Sequence, residues 1–219
     1  MRLLKELFDN NRAWAAGMEQ RSPGFFSKLA EQQAPEYFWI GCADSRVPAN
    51  EIVGLMPGEI FVHRNIANVV NPFDHNCAAC LQYAVEALRV KHIMVVGHYG
   101  CGGVRAVLEG HYRGTVGEWL APVRAVHQKY AASLGATERE QWDALCELNV
   151  IEQAACVWAS PVVAAAWSEG QELAVHGWIY SVSDGLLRDL NVTVGSSAEA
   201  EGVRRKAVDE ILGKSATPP

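Results

Sequence analysis

Two short runs in the chain carry residue types from which a metal centre can be built. Cys42-Ala43-Asp44-Ser45-Arg46 follows the apolar run Tyr37-Phe38-Trp39-Ile40-Gly41, and His98-Tyr99-Gly100-Cys101-Gly102-Gly103 follows Ile93-Met94-Val95-Val96-Gly97. His-x-x-Cys lets one short turn offer an imidazole and a thiolate to a single ion, while the glycines relieve crowding as the backbone closes. With Cys42 as a second thiolate the set becomes Cys₂His. Such a set favours zinc, and three protein ligands leave a fourth position open, which suits catalysis better than a purely structural site. V-R-A-V-L-E follows with helical spacing, so Cys101 is expected near a helix N-terminus, where the backbone dipole favours a thiolate. Asp44 can accept a hydrogen bond and so orient a nucleophile. Arg46 can hold that carboxylate in a forked, charge-assisted contact and keep it off the metal, for which it is otherwise a competent ligand. The plainer alternative is a few small polar residues buried at strand ends. A Cys-x-Asp-x-Arg run matched to a His-x-x-Cys run weighs against it.

These residues must be brought together by the elements around them. The runs at 37–41, 59–63 and 92–97 are short, apolar and rich in β-branched and aromatic residues, so they read as buried strands, and 76–90 between the last two has helical periodicity. Strand, helix, strand with tight turns implies parallel pairing through a right-handed crossover. Both candidate runs then lie at carboxyl ends of strands, on the edge where such sheets place their sites. Leu173–Tyr180 and Leu190–Val194 read as two further strands joined by a turn at Asp184-Gly185, after an alanine-rich helical region at 116–169. Two helices at the N-terminus precede any strand. The expected fold is α/β: a mainly parallel sheet with flanking helices and an N-terminal helical arm over 1–34, within a single domain of 1–219 whose last residues, 214–219, form a frayed tail.

Composition narrows the function. With 219 residues, 49% hydrophobic and 20% charged, the chain can bury a substantial core. A formal charge of −6 provides no basic field for nucleic acid. Neither a signal peptide nor a membrane span is read, so a cytoplasmic protein is expected. Disulfides are the weaker reading for the six cysteines in a protein of this size. Cys77-Ala78-Ala79-Cys80 falls within a helical pattern without a second pair and reads as helix core with surface thiols as the alternative, while Cys146 and Cys156 lie in a helical stretch and are assigned to packing. His63, His92 and His176 read as satisfied core histidines. His75, His111 and His127 could carry protons, though nothing selects one of them.

C-A-D-S-R-V-P at 42–48, F-V-H-R-N-I-A-N at 61–68 and H-Y-G-C-G-G-V at 98–104 resemble the motifs of the β-class carbonic anhydrases, particularly the bacterial ones, in register from about residue 20 to about 195. The resemblance implies one Zn²⁺ per subunit on Cys42, His98 and Cys101, Asp44 and Arg46 as the catalytic dyad, and reversible hydration of carbon dioxide to bicarbonate. It further implies a carbon dioxide pocket lined by Gln33, Phe61, Ile66 and Tyr83, partly across a subunit boundary, hence a homodimer or a dimer of dimers. Ala43 stands where serine is frequent, which should not affect ligation. Because two thiolates cancel the formal charge of the ion, water at such a centre should be less acidified than with neutral imidazoles, and activity should favour alkaline pH.

Trp39, Arg64 and Tyr180 raise a second possibility. An arginine beside two aromatics with polar edges suits a small planar anion, and the resemblance implies a non-catalytic bicarbonate pocket that stabilises a closed, inactive state with the aspartate on zinc. Two other readings remain open: hydrolysis of carbonyl sulfide or carbon disulfide on the same scaffold, and a zinc-stabilised binding protein without turnover, whose expected mark is loss of Asp44 or Arg46. Both residues are present.

Overall fold

The structure, a computed structural model, describes residues 3–215. It divides into two compact units, Met1–Ala34 and the chain from Pro35 onward. The first holds two helices, α1 (Lys5–Arg21) and α2 (Phe25–Glu31). Gly24 between them takes a left-handed conformation at φ 77°, the region open to a residue without a Cβ. An edge-on contact of Trp14 on α1 with Phe26 on α2 joins the two.

The second unit is built on a five-stranded sheet in the order β2-β1-β3-β4-β5, with β1 Tyr37–Cys42, β2 Ile60–Asn65, β3 His92–His98, β4 Ala174–Ser181 and β5 Leu186–Val194. The first four run parallel and β5 returns antiparallel, as the expected mainly parallel α/β fold requires. β1 and β3 are almost continuously buried, which explains their unbroken apolar reading. β5 begins earlier than the sequence suggests, since a bulge opposite Gly177 and Trp178 and a left-handed Asn191 break its alternation.

Helices α4 (His75–Gln82), α5 (Gly102–Leu108), α6 (Gly114–Trp119), α7 (Ala121–Tyr130), α8 (Glu138–Trp158), α9 (Pro161–Ser168) and α10 (Ser197–Ser215) complete the unit, with the short α3 (Ala49–Val53). A π-helical segment, Tyr83–Ala87, continues α4. Asp74 caps α4 through the amides of Asn76 and Cys77, and Thr137 with Glu140 forms a reciprocal capping box at α8. The main core lies between one sheet face, with Phe38, Ile40, Ile93 and Val95, and the apolar side of α8; Trp39, Met94 and Val96 form a smaller cluster on the opposite face with Val47 and Ile60.

Lys214 and Ser215, assigned to a frayed tail, are the last residues of α10, because the helix hydrogen-bonding runs on to Ser215; residues 216–219 lie outside the described residues. No single helix among those described is long and apolar enough to cross a membrane.

α8 seats closely on the end of β3. A Cβ on Gly97 would stand 2.5 Å from the Cγ2 of the fully buried Val150. Gly97→Ala is therefore expected to destabilise the protein by about 1–3 kcal/mol, the usual penalty of overpacking, and Val150→Ala in the same chain should recover most of it in urea unfolding. An unchanged unfolding midpoint for Gly97→Ala would show that the helix shifts freely.

Candidate active site

Parallel pairing sets the carboxyl ends of β1 and β3 side by side, and Cys42 and Cys101, 59 residues apart in sequence, meet with their sulfurs 4.0 Å apart. His98, at the last position of β3, joins them, so that one donor atom from each of the three residues lies within 4.8 Å of the others. All three are buried, and His98 Nε2 has no hydrogen-bond partner. Its Nδ1 stands 3.0 Å from the carbonyl of Tyr99, which fixes the proton on Nδ1 and leaves the Nε2 lone pair free for the cluster. The donor set fits zinc. Two sulfurs about 2.3 Å from a tetrahedral ion lie about 3.8 Å apart, and a buried imidazole nitrogen without a partner is otherwise a net cost.

Electrostatics follow from that crowding. The Cys101 thiol as hydrogen-bond donor, then His98 and the backbone amides of Asp44 and Ala67, pull Cys42 down to about 4 against the effect of burial. Cys101 is pushed well up by Cys42 and by burial. The backbone amide of Val104, at the start of α5, works to lower Cys101, in the direction expected of a helix N-terminus, though Cys42 and burial outweigh it; a divalent cation at the site would favour the thiolates. Burial works to lower His98, but the adjacent Cys42 thiolate, the Tyr99 carbonyl and the Asp44 carboxylate outweigh burial and raise it.

Beside the cluster, Asp44 is held on both oxygens. Arg46 donates to Oδ1 from Nε at 2.9 Å and from its backbone amide at 2.9 Å, and to Oδ2 from Nη2 at 2.7 Å. These bonds, Arg46 foremost, hold the Asp44 carboxyl well below the usual carboxylate range. Oδ2 is nonetheless only 3.7 Å from His98 Nε2. Arg64, from β2, donates through Nε to the Cys42 carbonyl at 2.9 Å and through Nη2 to the Asp44 carbonyl, tying the backbone on which ligand and dyad sit.

Several supporting groups have no local signal in the sequence. Trp142, on α8, donates its indole N–H to the carbonyl of Cys101 at 3.0 Å, and Arg105 lies over its ring. Cys146, assigned to packing, is wholly buried on the same helix near Cys101. The Tyr99 hydroxyl donates to Glu147. Only helical periodicity marks these positions in the sequence, and that shows a buried face without showing what it touches.

The remaining expected residues fall as follows. Phe61 packs against Tyr83 with ring centroids 6.0 Å apart. Ile66, 42% exposed, borders the ligand turn through Gly103. Gln33 lies in the exposed extended segment after α2, in the N-terminal unit. Trp39 is completely buried with its indole N–H unpartnered, and Gly41 makes room for it, since a Cβ there would lie 2.1 Å from that nitrogen. Tyr180 is half-buried opposite His98 in the β3–β4 register. All six cysteines are free.

Comparison with known proteins agrees with this geometry. Residues 37–187 match the family model described as carbonic anhydrase. A carbonic anhydrase of Emericella nidulans is 49% identical over 189 residues, covering 85% of this chain and 83% of its own. The β-carbonic anhydrase of Coccomyxa, solved in complex with acetazolamide, superposes with a TM-score of 0.90 at 40% identity over the full length of both chains. One of two tetrameric β-carbonic anhydrases from Sordaria macrospora does so with a TM-score of 0.83 at 39% identity, over 87% of this chain and 98% of its own. With the family model spanning most of the sheet and a near-half-identical relative spanning most of the chain, this protein belongs to the β-class carbonic anhydrase family.

Proposed function

We propose that the chain catalyses the reversible hydration of carbon dioxide to bicarbonate and a proton, with one zinc ion per chain on Cys42, His98 and Cys101. The observation that carries this reading is the convergence of three buried soft donors, one of them the unpartnered His98 Nε2, beside an Asp44 carboxylate held on both oxygens. Zinc, when bound there, supplies Lewis-acid activation of water. The chain's own residues then do the rest. Asp44 accepts a hydrogen bond and restricts the direction from which a nucleophile meets the carbon of the substrate. Arg46 keeps that carboxylate ionised and in place. Phe61, Tyr83 and Ile66 offer the apolar wall that an uncharged linear substrate requires. The exposed Leu7, Phe8 and Trp14 on α1 and the half-exposed Tyr83 support a pocket completed by a second subunit, with Gln33 among the contributed residues, in a homodimer or a dimer of dimers. A cytoplasmic setting agrees with six free cysteines.

Stopped-flow hydration of carbon dioxide at about pH 8.5, above the pKa of ~7 that zinc can give its water, with protein of known zinc content, tests the reaction. Rapid turnover proportional to zinc is expected, and acetazolamide, present in the Coccomyxa complex, serves as a probe. A fully zinc-loaded protein without turnover would refute the reading.

The finer assignment, a bacterial-type enzyme inhibited by bicarbonate, rests on Trp39, Arg64 and Tyr180. Its support is the buried, unpartnered Trp39 indole N–H and an Arg64 guanidinium whose present partners are the carbonyls of Cys42 and Asp44. A bicarbonate that recruits Arg64 would loosen the backbone that carries the dyad. Inhibition by bicarbonate is expected in the wild type, and Trp39→Phe should weaken it several-fold; a rate with unchanged bicarbonate dependence would dismiss the pocket.

A further inference from the structure

Behind the ligand turns the chain makes a bend that ordinary residues resist. Ala67 sits at φ 64°, ψ 28° and Asn68 at φ 46°, in the left-handed region that an alanine resists and an asparagine tolerates better. The bend adjoins both ligand-bearing segments. Asn65, where it begins, accepts the amide of Ala43 at 2.8 Å, one residue past Cys42. On the other side, a Cβ on Gly103 would lie 3.0 Å from Ile66 Cγ2 and 3.1 Å from Ala67 Cβ, so the bend packs on the turn that carries Cys101.

Two sets of hydrogen bonds hold it. From within, the Asn65 side chain accepts from Val69 N–H at 2.7 Å and donates to the Val69 carbonyl at 2.8 Å. From outside, α8 presents two amides one turn apart. Asn149 Nδ2 donates to the Ala67 carbonyl at 2.9 Å, Gln153 Oε1 accepts from Val70 N–H at 2.8 Å, and Gln153 Nε2 donates to Asn149 Oδ1 at 3.1 Å. Each amide orients the other. Both are 1% exposed, on a helix whose other buried positions around them are Leu148, Val150, Ile151 and Ala154. Buried amides are costly unless fully paired, and what these two pair with is the strained backbone beside the metal ligands.

We propose that Asn149 and Gln153 are positioning residues of the metal centre: they hold Ile66–Val70 in its left-handed bend and so fix the spacing of the Cys42 and Cys101 segments. This rests on the zinc reading above. The test uses zinc-loaded full-length wild type, Asn149→Leu, Gln153→Met and the double variant Asn149→Leu/Ala67→Gly, with three readouts: the rate of zinc transfer to a chelator, Tm with and without zinc, and hydrogen exchange over residues 65–71.

Each single variant is expected to release zinc about 10–100-fold faster, the usual effect of removing an outer-shell partner, to narrow the Tm difference between loaded and stripped protein, and to exchange faster over 65–71. Ala67→Gly, which removes the Cβ penalty, should restore most of the zinc retention lost with Asn149→Leu. Equal Tm losses in loaded and stripped protein with wild-type zinc release would overturn the proposal, since the amides would then serve the fold alone. So would a failure of Ala67→Gly to rescue. Should Asn149→Leu not fold, Gln153→Glu, which keeps the acceptor for Val70 but not the donor to Asn149, is read in the same way. A wild type that holds no zinc would defeat the zinc reading, and unaltered exchange over 65–71 in the variants would separately defeat the clamp.

Discussion

Replacing Arg46 with alanine is expected to lower kcat/KM for carbon dioxide hydration by about 10²–10³-fold, the range found when one preorganised polar group is removed from an active site, while leaving one zinc per chain. The reason is geometric. Arg46 makes three hydrogen bonds to the Asp44 carboxylate, two of them from its side chain, and Oδ2 is already within 3.7 Å of His98 Nε2. Freed from the guanidinium, Asp44 has a short path to the donor cluster, where it would occupy the position that the reaction needs open. Arg46→Lys keeps the positive charge without the planar fork and should recover little of the loss. Stopped-flow rates alongside metal analysis check this. A rate within threefold of wild type would mean that Asp44 is held by other means. Loss of zinc along with activity would mean that the pair serves ligation rather than catalysis.

Cys101→Ala should cost the metal itself. Cys101 is 2% exposed and supplies one of only two sulfurs in the cluster. Since Cys42 joins the cluster from 59 residues away, the complete ligand set exists only in the folded chain. Zinc thereby stabilises the native state by mass action, about 4 kcal/mol when free zinc exceeds Kd a thousandfold. For a chain of this size each kcal/mol shifts Tm by about 2–4 °C, so a fall of about 8–16 °C is expected, to near the Tm of wild type stripped by a chelator. Thermal unfolding with and without added zinc decides it. A variant that keeps one zinc per chain and its Tm would place the ion elsewhere.

The ligand residues were legible because each follows a strand whose apolar run ends in glycine, Gly41 before Cys42 and Gly97 before His98, and parallel pairing leaves those ends one place to meet. Asp44 and Arg46 were legible because two residues of spacing suffice for the forked contact. The bacterial-type pocket was read from the types of Trp39, Arg64 and Tyr180 together with the family resemblance; the structure adds an unpartnered Trp39 nitrogen. Asn149 and Trp142 were not legible, since they act across 82 and 41 residues and their helical spacing looks like that of any core helix. α3 escaped notice at five residues, too short to show a period. α10 did so because charged residues interrupt its apolar pattern and, among the described residues, only Ala200, Ala207, Val208 and Ile211 are buried.

The position of β1 and β3 at the middle of the sheet carries one more consequence, in the kinetics of assembly. β5, at one edge, pairs with neither ligand-bearing strand, whereas β2, at the other, is tied to Cys42 through Arg64 and Asn65, and parting β1 from β3 separates the two ligand-bearing strands themselves. β3 also reaches β1 only after the chain has made β2 and α4 and crossed back, a long loop to close before any contact rewards it. Metal capture therefore comes late in folding, and the framework that receives it belongs to the slowest part of the native structure to open.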